Sequence, residues 1–90
     1  MEIEKIVKHY GSEHQIVVAM EECGELIQSL SKYLRGEGST DNIAEEMADV
    51  QLVLEELRFI FSISLNDTVK RMTDKIERTL DIIKLSEMSE

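Results

Sequence analysis

Two groups of acids in this chain have the spacing of a cation site. The first reads Glu21-Glu22-Cys23-Gly24-Glu25 and the second Glu45-Glu46-Met47-Ala48-Asp49. In each, two carboxylates stand three residues apart, Glu22 with Glu25 and Glu46 with Asp49. On a helix, residues at that spacing are neighbours whose side chains lean the same way. If the two helices fold back on one another, four carboxylates meet. Unneutralised carboxylates at close quarters repel, so a cluster of this kind serves to hold a cation. The flanking residues favour this over the plainer reading, two solvated acidic faces. Glu22 has Val18 four residues before it and Leu26 four after, and Asp49 has Val53 four after. Glu46 points between the directions of Val53 and Leu57. Charged groups avoid buried faces unless they find a partner there. Glu25 has mostly polar neighbours, and on the helical wheel alone it is equally a surface residue. Glu45, Glu55 and Glu56 fall on the other side and read as ordinary solvated acids.

The ligand chemistry narrows the cation. All the candidate groups are carboxylates, and hard oxygen ligands select Mg²⁺, Mn²⁺ or Ca²⁺. The Glu-x-x-His pairs of a di-iron bundle are absent from the sequence, as are an EF-hand loop, a Walker A sequence and Gly-x-Gly-x-x-Gly. Neither His9 nor His14 is placed for a triad, and both read as surface groups.

Composition bounds what can carry these acids. Ninety residues make one domain, taken as 1–90 with a polar tail from about Ser86. A chain of this size buries only about 60–65% of its unfolded surface, so long helices leave apolar faces that one copy cannot cover. With 42% hydrophobic and 32% charged residues the balance is globular, and the absence of Pro together with 4% aromatic content favours long helices over strands. A net charge of −9 speaks against binding a nucleic acid polymer, though not against a nucleotide whose charge is screened by metal. Cys23 is the single cysteine, which excludes an intrachain disulfide and reads as a small buried thiol. The first residues lack an apolar signal region, and no run is long enough to span a membrane. A cytoplasmic protein with no membrane partner is expected.

Four helices are predicted. Glu2 to Tyr10 is a short amphipathic segment with Ile3, Ile6, Val7 and Tyr10 on one side, ended by Gly11. Ser12 to Gln15 fits a capping box, opening a second helix from about Glu13 to Arg35. Its core stripe is Ile16, Ala19, Met20, Cys23, Leu26, Ile27, Leu30 and Leu34, with Gly36 as its C-terminal cap. Gly24, in mid-helix, suits either close approach at the acidic site or close helix packing. Thr40 or Asp41 caps a third helix running to about Phe61, apolar on two sides. One side carries Ile43, Met47, Val50, Leu54, Leu57 and Phe61, the other Ala44, Ala48, Leu52 and Phe59. Such a helix is sandwiched, between its own chain and a partner. Ser64 to Asp67 forms another cap, and a fourth helix runs to about Leu85 with a bundle-like seam of Leu65, Val69, Met72, Ile76, Leu80 and Ile83. In an antiparallel hairpin of the second and third helices, Glu25, Glu46 and Asp49 lie near one height.

This pattern resembles the MazG-like, all-α nucleoside triphosphate pyrophosphohydrolases. Glu-Glu-x-x-Glu at Glu21, Glu22 and Glu25, then Glu-x-x-Asp at Glu46 and Asp49, carry the likeness. Tyr10-Gly11, Gln15, Leu26, Val50 and the stretch Lys75-Ile76-Glu77-Arg78 extend it over about Tyr10 to Arg78. The resemblance implies a four-helix bundle completed by oligomerisation as a homodimer or homotetramer. It implies Mg²⁺-dependent cleavage, with Mn²⁺ as a substitute, of a nucleoside triphosphate between the α and β phosphates to give monophosphate and pyrophosphate. Housecleaning of unwanted nucleotides is the family-level role. By the same resemblance Glu22, Glu25, Glu46 and Asp49 are the metal ligands, and Glu21 supports them from outside. Glu22 or Glu25 takes the proton of the attacking water. Lys32, Lys75 and Arg78 neutralise phosphates, and Gln15 either contacts the nucleotide or serves only its cap. With no Trp and few aromatics, the base-recognition region is not legible. Phosphoribosyl-ATP pyrophosphohydrolase, a related family of similar size, fits less well. The N-terminal sequence motif expected there does not occur in this sequence, and the Lys75/Arg78 stretch runs too far. A helical oligomerisation module without enzymatic activity is the reading from a different class.

Overall fold

Gly11 makes the first corner. The computed structural model describes residues 2–89. In it α1 (Glu2–Tyr10) and α2 (Ser12–Leu34) are separated by this one residue. Its φ of 95° lies where only glycine sits without strain. The expected capping box is not formed. Gly11 itself is the N-cap, Ser12 is already helical, and no side chain caps this end. The Gly11 N–H is taken by Val7 O at 2.7 Å and its carbonyl accepts from the Gln15 N–H at 3.1 Å, so Gln15 falls one position past the box's third helical residue. Gln15 is thereby released from the helix end to the interior.

The second connection is a short turn whose geometry fixes a hairpin. Gly36 donates to Tyr33 O and Glu37 to Lys32 O, the paired bonds of a Schellman ending, with Gly36 at a φ of 77°. α3 (Thr40–Phe61) starts at Ser39, whose Oγ accepts from the Asn42 N–H at 3.1 Å; Ser39, not Thr40 or Asp41, is its cap. A β-region Ser before the first helical residue is the better cap, because its oxygen reaches back over the open turn. α3 ends on Ser62 in the left-handed region, and α4 (Leu65–Met88) begins at the expected cap, Ser64 Oγ accepting from Asp67 N at 3.0 Å. α4 continues past the expected end at Leu85.

All four elements are helices, and no strand occurs among the described residues. α2 packs on α3, and α1 lies across both, burying Val7. α4 forms no packed interface with the other three and projects from them, which stretches the molecule to 56 × 37 × 18 Å. Much of the expected α2 core stripe faces outward. Met20 is 69% exposed and Ile27 68%, Leu30 and Leu34 are exposed, and Cys23 is an exposed thiol rather than a buried one. A methyl group built on Gly24 would meet nothing within 4 Å, so neither of its expected close approaches occurs inside the chain.

Candidate functional site

The seam between α2 and α3 is polar at most of its levels. Ser29 Oγ donates to Asn42 Oδ1 at 2.7 Å near the turn, and Gln15 Nε2 donates to Glu56 Oε1 at the far end. Between them Glu25 stands against Glu46, and Glu22 against Asp49. In each of these four pairs the two residue numbers add to the same total, as antiparallel helices in one fixed register require. Seven-residue steps place Gln15 and Glu22 on one face of α2, and Asp49 and Glu56 on one face of α3.

This register brings Glu22, Glu25, Glu46 and Asp49 together, as the spacing predicted. One carboxylate oxygen from each lies within 4.8 Å of the others. Glu22, Glu46 and Asp49 are half-buried and Glu25 is exposed. Burial, then the charges of Glu25, Asp49 and Glu46, raise Glu22 above the ordinary carboxylate value. Burial, then the charges of Glu25 and Asp49, raise Glu46 likewise. One buried oxygen of Glu22 and one of Glu46 have no hydrogen-bond partner. Orphaned carboxylate oxygens within a cluster of four close carboxylates, with no cationic side chain paired to them among the described residues, fit a divalent cation of the oxygen-seeking kind. The arrangement can hold such an ion and, through it, an anionic phosphate chain.

The remaining expected site residues fall elsewhere. Glu21 is exposed, beside the cluster in sequence but outside it. Lys32 is exposed in the last turn of α2. Lys75 and Arg78 are exposed on α4, which packs on neither acid-bearing helix, so one chain does not bring them to the acids. Among the described residues these three cations make no ion pair, whereas Arg35 pairs with Glu37 as a surface cation. Glu56 corrects the sequence reading. It is 2% exposed, not solvated, and Gln15 is 5% exposed. A polar residue seven after Asp49, on the same helical face, was the available signal; the apolar neighbours of α3 on its other sides obscured it.

A family model described as MazG nucleotide pyrophosphohydrolase domain matches residues 11–80. The chain belongs to this family. The match holds both acidic groups, the polar hairpin seam and the Lys75 to Arg78 stretch, and it agrees with the resemblance read from Tyr10 to Arg78. No curated protein and no solved structure gives a significant match. MazG membership suggests a nucleotide pyrophosphohydrolase, hence a hydrolase, of a family that is typically dependent on divalent metal. No helix among the described residues is long and apolar enough to cross a membrane.

Proposed function

We propose that this chain is a metal-dependent hydrolase that cleaves a ribo- or deoxyribonucleoside triphosphate between the α and β phosphates, releasing monophosphate and pyrophosphate. The supporting observation is the meeting of four carboxylates from two helices in a member of the MazG family. Glu22, Glu25, Glu46 and Asp49 hold Mg²⁺, or Mn²⁺ in its place. When bound, the ion neutralises charge on the phosphates and lowers the pKa of a water. Glu22, Glu46 and Asp49, half-buried on the seam, are the ligands that the packing holds in place. Glu25, the exposed member, has the freest carboxylate and takes the proton of the attacking water. Lys32, Lys75 and Arg78 neutralise the phosphate chain.

On this reading residues 1–90 work as one domain, and the bundle is completed by a second copy in a homodimer or homotetramer. Two exposed surfaces support that. One is the apolar groove of about 500 Å³ along α2, floored by Gly24 and Cys23 and edged by Met20, Ile27 and Phe61. The other is the bare α4 stripe of Val69, Met72, Ile76 and Leu80. α4 of the second copy, laid near this groove, carries its Lys75 and Arg78 toward the acids. Clearing unwanted nucleotides from the pool is a role such chemistry serves. The test is a screen for pyrophosphate release over common and damaged nucleoside triphosphates, with Mg²⁺ and with Mn²⁺. Monophosphate and pyrophosphate in equal amounts are expected; release of orthophosphate instead, or no turnover of any substrate, overturns the reading.

A further inference from the structure

A cleft of about 220 Å³ opens beside the acids, and its far end is built unlike the rest of the core. Glu22 and Asp49 close it at one end, Gln15 and Glu56 at the other, and Ile6, Val18, Leu52 and Val53 line the space between. The two ends are separated by seven residues on each helix, about 10 Å along the axis. That is about the reach of a nucleoside from the edge of its base to its 5′ phosphorus. The volume is below the roughly 300–1,000 Å³ of a pocket for a whole drug-sized ligand, so it encloses one planar ring, with the sugar lying along its open side toward phosphates at the acids. The apolar walls suit the faces of that ring.

The polar end has a fixed sense. His14 Nδ1 donates to Gln15 Oε1 at 2.7 Å, which leaves the Gln15 amide N–H to donate to Glu56 Oε1. His14 in turn stacks on Tyr10, with centroids 5.5 Å apart. Gln15 is thus clamped from both sides and holds Glu56 in place. Among the described residues, Gln15 supplies the single side-chain hydrogen bond that Glu56 accepts. A carboxylate accepts at about four lone-pair sites, and a buried one is costly until donors fill them. The end of the cleft therefore presents acceptors and asks for donors.

We infer that the Gln15–Glu56 pair reads the edge of the nucleobase and selects one bearing an exocyclic amino group, cytosine being the single-ring case. The inference rests on the hydrolase reading for its substrate class. The amino group of cytosine donates to Glu56. Uracil presents a carbonyl oxygen at the same position, which meets the carboxylate as one acceptor against another. A site built to hydrogen-bond a substrate group rejects the analogue lacking it strongly.

The test compares pyrophosphate release from dCTP and dUTP with Mg²⁺, for the wild type and for Glu56→Gln, alongside calorimetric binding of dCMP and dUMP to the wild type. The wild type should favour dCTP in kcat/KM by roughly a hundredfold. In Glu56→Gln the side-chain amide can turn to donate to the uracil carbonyl, so the ratio should fall to about one or below. Hydrolysis of both triphosphates within about threefold by the wild type leaves the hydrolase standing and overturns base selection by Glu56. So does an unchanged ratio in a folded Glu56→Gln. If the variant does not fold, the wild-type ratio decides. If neither triphosphate is hydrolysed, the hydrolase reading is decided separately by the wider nucleotide screen, and the monophosphates decide this inference. Binding of dCMP at least about tenfold tighter than dUMP upholds it, and equal or absent binding overturns it.

Discussion

Glu22 and Glu46 carry the electrostatic cost of the empty site. Both are raised in the folded chain by burial and by neighbouring carboxylates, so the folded state holds their protons more tightly than the unfolded chain does. By linkage, their contribution is unfavourable above the raised values and vanishes below the ordinary value of 4.5. Acidifying the metal-free protein from neutrality toward that value should relieve the repulsion. Glu55, lowered by its hydrogen bond to Arg58, works in the opposite sense and must be subtracted. The difference in melting temperature between wild type and Glu46→Gln isolates the cluster. Without metal the variant should be at least as stable at neutral pH, and its advantage should shrink on acidification. With metal at a hundred times its Kd the wild type should gain about 2.7 kcal/mol, and Glu46→Gln should lose most of that gain and nearly all pyrophosphate release. Glu45→Gln, exposed one residue away, should change little. Equal metal stabilisation of wild type and Glu46→Gln, with no nucleotide hydrolysis by either, would leave the scaffold reading standing.

The hairpin that brings these residues together depends on its ends. Ser39 caps α3, and Ser29 ties the same end to α2 through Asn42. Ser39→Ala should therefore lower stability by about 1 kcal/mol and loosen the register near Glu25 and Glu46. At the other end of α3, Ser62 holds a φ of 55°, a conformation that costs a residue with a Cβ roughly 1–2 kcal/mol. Ser62→Gly relieves that strain while freeing the unfolded chain, so a net gain of up to about 1 kcal/mol is expected. The midpoint of urea unfolding reads both changes, and a loss of stability in Ser62→Gly would show that the Ser side chain has a compensating contact. Gly38 is the position where adding a side chain is costly. A Cβ there would lie 3.0 Å from the Tyr33 backbone nitrogen, and that backbone cannot give way without disturbing the Schellman turn.

At the scale of the molecule, the single chain is unfinished. Large apolar side chains are exposed along α2 and along α4, and beyond its backbone hydrogen bonds α4 has exposed local pairs such as Arg71 with Asp67 and Lys70 with Asp74. Pairs of this kind add only a few tenths of a kcal/mol each. Sedimentation equilibrium at micromolar concentration should give a dimer or larger; a folded monomer would remove the argument for shared bundles. Lys75→Ala should weaken turnover with helical spectrum and assembly intact. If α4 serves the partner's acids, mixing Lys75→Ala with Glu46→Gln chains should restore activity to about a quarter of wild type in a dimer, because half of the molecules are mixed and each has one intact site. No recovery on mixing would place Lys75 with the acids of its own chain, or outside the site.

The sequence by itself determined the four helices, the antiparallel meeting of Glu22, Glu25, Glu46 and Asp49, and the family. Those follow from local rules: Gly11 and Gly36 stop helices, Ser64 starts one, and acids three apart share a face. Which face of α2 turns inward was decided only by the tertiary structure. Hydrophobic periodicity pointed to Met20, Cys23 and Ile27 along with Ala19, yet of these the chain buries only Ala19 and adds the polar Gln15 and Ser29 on α2. The physical reason is that the polar groups of the seam satisfy one another across it, from Ser29 and Asn42 to Gln15 and Glu56. A helical wheel sees each helix alone and cannot register partners that are supplied by the other. Glu56 is the sharpest case, a carboxylate read as solvated that the fold places in the core because Gln15, freed from the expected capping box by Gly11, arrives opposite it.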